Sequence, residues 1–282
     1  MGRSWISVSI YTFEWKYVYT LLRWAAELEK IGAAGGNTVR VWVHVEGDVS
    51  PLYDGDGFVT GTDRAGTLIS DLKSFLDECY KNNILAGLVL FNGAVLRNQK
   101  TINLFSDDDK LNSYLEQALT PMVQQLSSHP ALGFWEVMNE PEGSSPAGQK
   151  DSDPCFDFTH LDWSRAEGQG PGWTDANLAI KDILHFVNWV ADTIHHEDSK
   201  ALVTVGSWNS LASTFIGGDD PVHKTGFNHY SAECLVKAGG KELGVMDFVE
   251  FHAFPWAGRK FQHQQIQTCF RTLGFQCALA YK

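Results

Sequence analysis

Hydrophobic and polar residues follow two patterns that alternate along the chain. Short, nearly continuous apolar segments are typical of strands covered on both faces. We predict such strands at 37–45, 84–92, 132–139, 201–208 and 245–254, after a poorly defined first strand near 4–13. Between them, apolar residues recur at the spacing of amphipathic helices, in segments 15–31, 64–81, 107–127 and 173–195. The alternation predicts an α/β fold with a parallel sheet.

Two long segments, 46–63 and 140–172, are rich in Gly, Asp, Ser and Pro. Each follows the carboxyl end of a predicted strand, which is where α/β barrels carry the loops of their active sites. No linker and no internal repeat separates one part of the chain from another. We therefore predict a single domain over residues 1–282.

Composition narrows the class of ligand. The net charge is −12 and the basic residues are scattered, which argues against a nucleic-acid partner. Ten tryptophans in an acidic chain suit neutral ligands such as sugars, although packing also accounts for many of them. The five cysteines show no metal-binding spacing, and their odd number leaves at least one unpaired or bonded between molecules. Neither a signal peptide nor an apolar segment long enough to span a membrane is visible in this sequence.

The segment 133–141, Gly-Phe-Trp-Glu-Val-Met-Asn-Glu-Pro, is the most informative part of the chain. It predicts a buried strand that ends in Asn139 and Glu140, after which Pro141 turns the chain away. Apolar surroundings disfavour the charged form of a carboxyl group and raise its pKa. A carboxyl group that keeps its proton near neutral pH serves as a general acid, and we predict this role for Glu140.

Strand 37–45 carries Arg40, Trp42 and His44 at alternate positions, so all three are expected on one face. A buried Arg needs a carboxylate or a ligand as its partner. Two interpretations of Arg40 remain open, an internal salt bridge and a cationic clamp beside catalytic carboxylates.

Polar or aromatic residues also lie at two further strand ends. His252 is near the carboxyl end of strand 245–254, and either packs in the core or acts beside Glu140. Trp208 ends strand 201–208 and either forms a platform for a sugar or closes the mouth of a barrel.

At these residues the chain resembles the glycoside hydrolases of family five, which are retaining glycosidases with a (β/α)8 TIM barrel. Within this family the resemblance is to the endo-β-1,4-mannanases of molluscs and other invertebrates. It covers about residues 30–258 and rests on these segments: NTVRVWVHVEG (37–47), ALTPMV (118–123), WEVMNEPEG (135–143), DPCFD (153–157), ALVTVGSW (201–208) and AGGKELGVMDF (238–248).

The resemblance implies a role for each matching residue. It makes Glu140 the acid/base and Asn139 the ligand of the sugar 2-hydroxyl, with Arg40 and His252 beside them. The cleft would be lined by Trp42, His44, Trp208 and Trp256. It also implies a secreted, monomeric enzyme that acts on β-mannan or a related neutral polysaccharide and needs no metal or organic cofactor.

The sequence departs from the family where a second carboxylate is expected. A retaining glycosidase needs a nucleophile about 5–5.5 Å from the acid, and the family carries it on the strand after His252. No Asp or Glu occurs from Phe251 to Lys282. Glu250 shares the face of His252 but lies about 6–7 Å deeper along the strand, which makes it a poor candidate. Phe254 replaces a Tyr whose hydroxyl contacts the nucleophile in the family.

Three interpretations follow from this departure. The chain is a mannan-hydrolysing glycosidase, a non-catalytic relative that binds sugar, or a β-1,4-glucanase on the same scaffold. The final segment, 259–282, has no clear strand or helix pattern. We therefore expect an incomplete barrel of about six βα units, with the seventh and eighth missing or replaced. The last predicted strand would then have an open edge unless the final segment covers it.

Overall fold

The computed structural model describes residues 7–10, 19–159, 171–208, 210–213, 226–252 and 277–280. Side chains are described within 24–159, 171–208, 211–213 and 226–252. Trp256 and Phe254, which were singled out above, lie outside these ranges.

Strands and helices alternate through most of the described chain. The strands are β1 Ser7–Ile10, β2 Thr38–Val45, β3 Leu52–Tyr53, β4 Val59–Gly61, β5 Leu85–Asn92, β6 Leu132–Asn139, β7 Val203–Ser207, β8 Val249–His252 and β9 Cys277–Ala280. The helices are α1 Tyr19–Ala33, α2 Leu68–Lys81, α3 Gln99–Asn103, α4 Asp108–Tyr114, α5 Thr120–Leu126, α6 Ile180–Glu197, α7 Ser210–Ser213 and α8 Ala232–Gly239. A π-helical segment, Leu115–Leu119, joins α4 to α5, and a 3-10 turn, Pro141–Ser144, follows β6.

Seven of the described strands form one sheet in the order β1-β2-β5-β6-β7-β8-β9, and each neighbouring pair is parallel. Strands β1 and β9, at the two ends of this order, also lie within 8 Å of each other between Cα atoms. The sheet therefore curls round on itself in the manner of a barrel. The predicted α/β fold and its parallel strands are confirmed, and β3 and β4 form a separate antiparallel hairpin in the loop after β2.

The final segment differs from the expectation. Residues Cys277–Ala280 form β9 and pair with β8 in the register Val249 to Cys277. This strand covers the edge of β8 that would otherwise be open, because its backbone groups supply the hydrogen bonds that an edge strand lacks. A strand so short shows little alternation of its own and was missed for that reason.

Two helices begin later than predicted, and local hydrogen bonds explain both. The side chain of Asp63 accepts hydrogen bonds from the N–H groups of Ala65, Thr67 and Leu68, so the preceding turn is not helical and α2 begins at Leu68. Residues 172–174 pair with the turn after β6 through Gly172 N–H and Thr174 N–H, which delays α6 to Ile180.

The predicted helix 107–127 is one helical stretch with a change of geometry in its middle. Its central turn is π-helical, and a regular helix resumes at Thr120 with Pro121 in its first turn. Proline lacks an N–H group, so its place is at the start of a helix.

The core lies between the sheet and the helices. Phe91 of β5 packs against Tyr114 of α4 and Phe186 of α6, with ring centroids 5.2 Å and 5.7 Å from that of Phe91. A disulfide joins Cys155, in the loop after β6, to Cys234 of α8, and Cys79 is a buried free thiol. Across the described ranges, no helix is both long and apolar enough to cross a bilayer.

Candidate active site

Glu140 lies at the point where β6 ends, and its backbone is held in an unusual conformation. Its φ of 46° places it in the left-handed region, which costs a non-glycine residue about 1–3 kcal/mol and persists only where the surrounding structure imposes it. Here its N–H donates to the carbonyl of Gly206 in β7 at 2.6 Å, and its own carbonyl accepts from Gly143 at 3.1 Å. The neighbouring strand and the turn therefore determine where the Glu140 carboxyl points.

His252, at the end of β8, contacts that carboxyl. Its Nδ1 lies 2.5 Å from Glu140 Oε1, and the two side chains are only 4% and 5% exposed. Burial strengthens this interaction because little water competes for either group. The structure thus joins a carboxyl and an imidazole, two groups that exchange protons, at the carboxyl edge of the sheet.

Asn139 is positioned by both of its amide atoms. Its Oδ1 accepts a hydrogen bond from Arg40 Nη2 at 3.1 Å, and its Nδ2 donates to Asn92 Oδ1 at 2.9 Å. All three side chains are buried. Sequence reasoning missed Asn92, although its place at the end of β5, level with Asn139 on β6, is a signal that could have identified it.

Arg40 is the centre of an ionic cluster inside the sheet. Its Nε and Nη2 donate to the two carboxylate oxygens of Glu136 at 2.7 Å and 2.5 Å, and Nε lies 3.4 Å from Glu250 Oε1. Burial acts to lower the pKa of Arg40, but the charges of Glu136 and Glu250 outweigh it and the pKa is raised. The salt bridge and the contact with Asn139 coexist, so the two interpretations of Arg40 are compatible. Glu136 was missed, although a lone Glu in an apolar strand needs such a partner.

Glu250, the second carboxyl group near Arg40, has a shifted pKa. Burial, followed by the charge of Glu136, raises its pKa to about 8, while Arg40 acts in the opposite direction. Glu250 is therefore protonated at neutral pH. A protonated carboxyl group is a weak nucleophile, which agrees with the view of Glu250 as a poor candidate for that role.

Potential metal ligands also meet at this point. One ligand atom each from Glu136, Glu250 and His252 lies within 4.8 Å of the others. The guanidinium of Arg40 already bonds the first carboxylate and lies 3.4 Å from the second. A fixed cation in this position offsets the negative charge that would attract a metal ion, so the residues fit an internal ion pair better than a metal centre.

Known proteins resemble this chain in sequence and in fold. The sequence is 47% identical over 232 residues to the mannan endo-1,4-β-mannosidase of Cryptopygus antarcticus, a match that covers 82% of this chain and 57% of that protein. The structure resembles the β-1,4-D-mannanase of the same organism, with a TM-score of 0.76, 40% identity and coverage of 93% of this chain and 76% of the other. It also resembles the β-1,4-mannanase of the sea hare Aplysia kurodai, with a TM-score of 0.81, 37% identity and coverage of 93% and 72%.

The chain belongs to the endo-β-1,4-mannanase family of glycoside hydrolases. Its fold is that of the TIM-barrel mannanases, as the resemblance implied. The chain spans 57% of the length of the Cryptopygus antarcticus relative. No protein-family model matches the sequence.

Two residues expected to line the mannanase cleft are buried. Trp42 is 1% exposed and lies over Arg40, with 5.7 Å between the guanidinium carbon and the ring centroid. His44 is 2% exposed, and its Nδ1 lies 2.8 Å from Ser50 Oγ. Contact with sugar stays a prediction for both, and their burial favours packing.

The prediction that His44 shares a face with Arg40 and Trp42 is wrong. The register of β2 against β5 shifts between Trp42 and Val45, and the His44 ring packs against the core residues Phe91 and Tyr114, with centroids 5.1 Å and 5.6 Å away. Burial lowers the pKa of His44 to about 3, so the ring is neutral at neutral pH.

Trp208, the third residue expected in the cleft, is hydrogen-bonded to the carboxyl group of Glu142, a residue that sequence reasoning missed. Its backbone N–H donates to Glu142 Oε2 at 3.0 Å, while Ser207 Oγ and Tyr230 OH donate to Glu142 Oε1 at 2.6 Å and 2.9 Å. Burial raises the pKa of Glu142, and these three hydrogen bonds act in the opposite direction. Glu142 therefore connects the turn after β6 to the end of β7 and to Tyr230, which precedes α8. Trp256 lies outside the described residues.

Proposed function

We propose that this protein binds β-1,4-linked mannan and hydrolyses its internal bonds with retention of configuration. The observation that carries the proposal is the buried contact between Glu140 and His252, 2.5 Å long, at the carboxyl edge of the sheet. Its relatives from Cryptopygus antarcticus and Mytilus edulis are mannan endo-1,4-β-mannosidases, which supports mannan as the substrate.

In this mechanism Glu140 transfers the protons. It first protonates the glycosidic oxygen of the leaving sugar and later removes a proton from the water that completes hydrolysis. The contact with His252 orients the carboxyl of Glu140. Asn139, held by Arg40 and Asn92, offers its amide to the 2-hydroxyl of the sugar.

The attack on the anomeric carbon requires a second carboxylate. Glu250 is protonated at neutral pH, and no Asp or Glu follows it in the sequence. The proposal therefore assigns proton transfer to Glu140 and assigns the nucleophile to no residue. The raised pKa of Glu250, which makes this carboxyl a weak nucleophile, favours a second candidate function, the binding of mannan without hydrolysis.

Two measurements on the purified chain separate these candidates. The first is the release of reducing ends from β-1,4-mannan, with β-1,4-glucan in parallel, and the second is calorimetric titration with mannohexaose. Glu140→Gln is the matched variant, because it keeps the shape of the side chain and removes its acidity. Hydrolysis that is lost in the variant supports the enzyme. Binding of mannohexaose without hydrolysis supports the second candidate, and preference for glucan would contradict both.

We also propose that the protein is monomeric, forms one domain and functions outside the cell. The disulfide between Cys155 and Cys234 supports the location, because disulfides persist in oxidising compartments. Immunoblotting of cell and medium fractions tests the proposed location. A protein retained in the cytosol with reduced thiols would contradict it.

A further inference from the structure

An aromatic ring on the active-site side of the sheet is both exposed and fixed. Trp173 is 37% exposed, whereas Trp24, Trp42, Trp135 and Trp208 are buried and Trp189 is partly buried. An apolar ring kept in water is unfavourable by about 25 cal/mol for each Å² of its surface. A single exposed apolar residue is common on protein surfaces, so the case for Trp173 depends on how its ring is held beside the candidate site.

The backbone around Trp173 is hydrogen-bonded to the turn Pro141–Ser144, which follows the proposed acid. Gly172 N–H donates to the carbonyl of Glu142, and Thr174 N–H donates to the carbonyl of Gly143, each at 2.9 Å. Trp173 thus lies beside Glu142 and Gly143, two and three residues after Glu140, although Trp173 and Glu140 are 33 positions apart in the sequence.

The indole itself is fixed at two further points. Its Nε1 donates to the carbonyl of Ala94, just beyond β5, at 2.9 Å. Its ring lies against the backbone of Gly143 so closely that a Cβ added there would be 2.5 Å from Trp173 Cζ2. Only glycine, which lacks a Cβ, allows this approach.

A second tryptophan supports the ring from the side. The ring centroids of Trp173 and Trp208 are 5.6 Å apart, with an angle of 59° between their planes. Trp208 is in turn held by Glu142 through its backbone N–H. The ring of Trp173 is therefore ordered before any ligand arrives, and little entropy is lost when a ligand stacks on it.

We propose that Trp173 is a sugar-binding residue of this protein and that a pyranose ring of the mannan chain stacks on its exposed surface, next to Glu140. This inference rests on the proposed function, since it takes mannan as the ligand. In this arrangement Gly143, Ala94 and Trp208 position the ring, and Trp173 itself contacts the sugar.

The test is calorimetric titration with mannohexaose, carried out in the Glu140→Gln background so that the ligand is not cleaved. Trp173→Ala is expected to weaken binding about tenfold, and Trp173→Phe, which retains a ring, to weaken it less. Gly143→Ala is expected to weaken binding as well, because the new methyl group displaces the indole without removing it. Tyr80→Ala, which removes a 61% exposed ring on α2, is the matched control and should bind like its parent.

Circular dichroism of each variant shows whether it is folded, and Trp173→Phe serves if Trp173→Ala is not. If Trp173→Ala and Trp173→Phe bind as tightly as the parent, the inference is overturned and the proposed function stands. If the parent itself does not bind mannohexaose, the proposed function fails, and the inference with it.

Discussion

Two regions of the sheet contain buried carboxyl groups, and these groups have different partners in each region. In the interior, Glu136 bonds Arg40 through both carboxylate oxygens. At the carboxyl edge, Glu140 contacts the imidazole of His252. A guanidinium keeps its charge at every working pH, so the interior pair holds strands together and cannot exchange protons. At the edge, the Glu140 carboxyl is held by an imidazole rather than by a permanent cation, so this pair is suited to proton transfer.

The largest effect of a substitution is expected at the carboxyl edge, where a change of Glu140 should lower the rate of hydrolysis. If the chain hydrolyses mannan, Glu140→Gln is expected to lower the rate about 10²–10⁴-fold, the contribution of a general acid–base group. Stability should change little in comparison. The release of reducing ends and thermal unfolding measure the two effects. A variant that keeps the parent's rate would show that Glu140 is not the acid.

Substitutions in the interior pair, Arg40 and Glu136, should act mainly on the stability of the protein. Arg40→Met leaves Glu136 buried without its main partner and is expected to lower the free energy of unfolding by about 3–5 kcal/mol. Urea unfolding measures the loss. The double variant Arg40→Met/Glu136→Gln removes the remaining charge and should recover much of the stability. A double variant no more stable than Arg40→Met would contradict an ionic role for the pair.

Glu250 tests the interior cluster through the pH dependence of stability, because it belongs to that cluster and is protonated. Its pKa is raised from 4.5 to about 8, so between these values the folded protein binds the proton more tightly than the unfolded chain. Its contribution to stability is therefore complete below pH 4.5 and declines as the pH rises toward 8, by up to about 1.4 kcal/mol per pH unit. Glu250→Gln should flatten this decline in urea unfolding at pH 5, 6.5 and 8. An unchanged slope would show that Glu250 is ionised in the folded protein.

His44 is expected to contribute a smaller change in the free energy of unfolding, over a narrower range of pH. Burial lowers its pKa from 6.5 to about 3, so the unfolded chain binds the proton more tightly and stability falls as the pH drops below 6.5. The slope is again up to about 1.4 kcal/mol per pH unit. His44→Phe keeps an aromatic ring and should reduce the difference in unfolding free energy between pH 6.5 and 5. Equal differences in the variant and the parent would place His44 in contact with water.

Much of the fold could be predicted because its signals are local. The apolar segments identified β2, β5 and β6 to within one residue at each end. The Asn-Glu-Pro sequence after β6 pointed to Glu140, since a polar pair that ends a buried strand is visible without any tertiary contact. Helix starts were less accurate, because the side chain of Asp63 and the pairing of residues 172–174 depend on turns rather than periodicity.

By itself, the sequence determined the class of fold, the order of its elements and the residues at the strand ends, because burial and periodicity act over a few neighbouring positions. The tertiary structure decided which groups meet. Arg40 and Glu136 are 96 positions apart, and Glu140 and His252 are 112 apart. It also decided that His44 leaves the face of Arg40, that Glu142 holds Trp208, and that Trp173 lies against Gly143 in the turn after Glu140. These contacts depend on strand register and backbone turns, in which a shift of one residue moves a side chain to the opposite face.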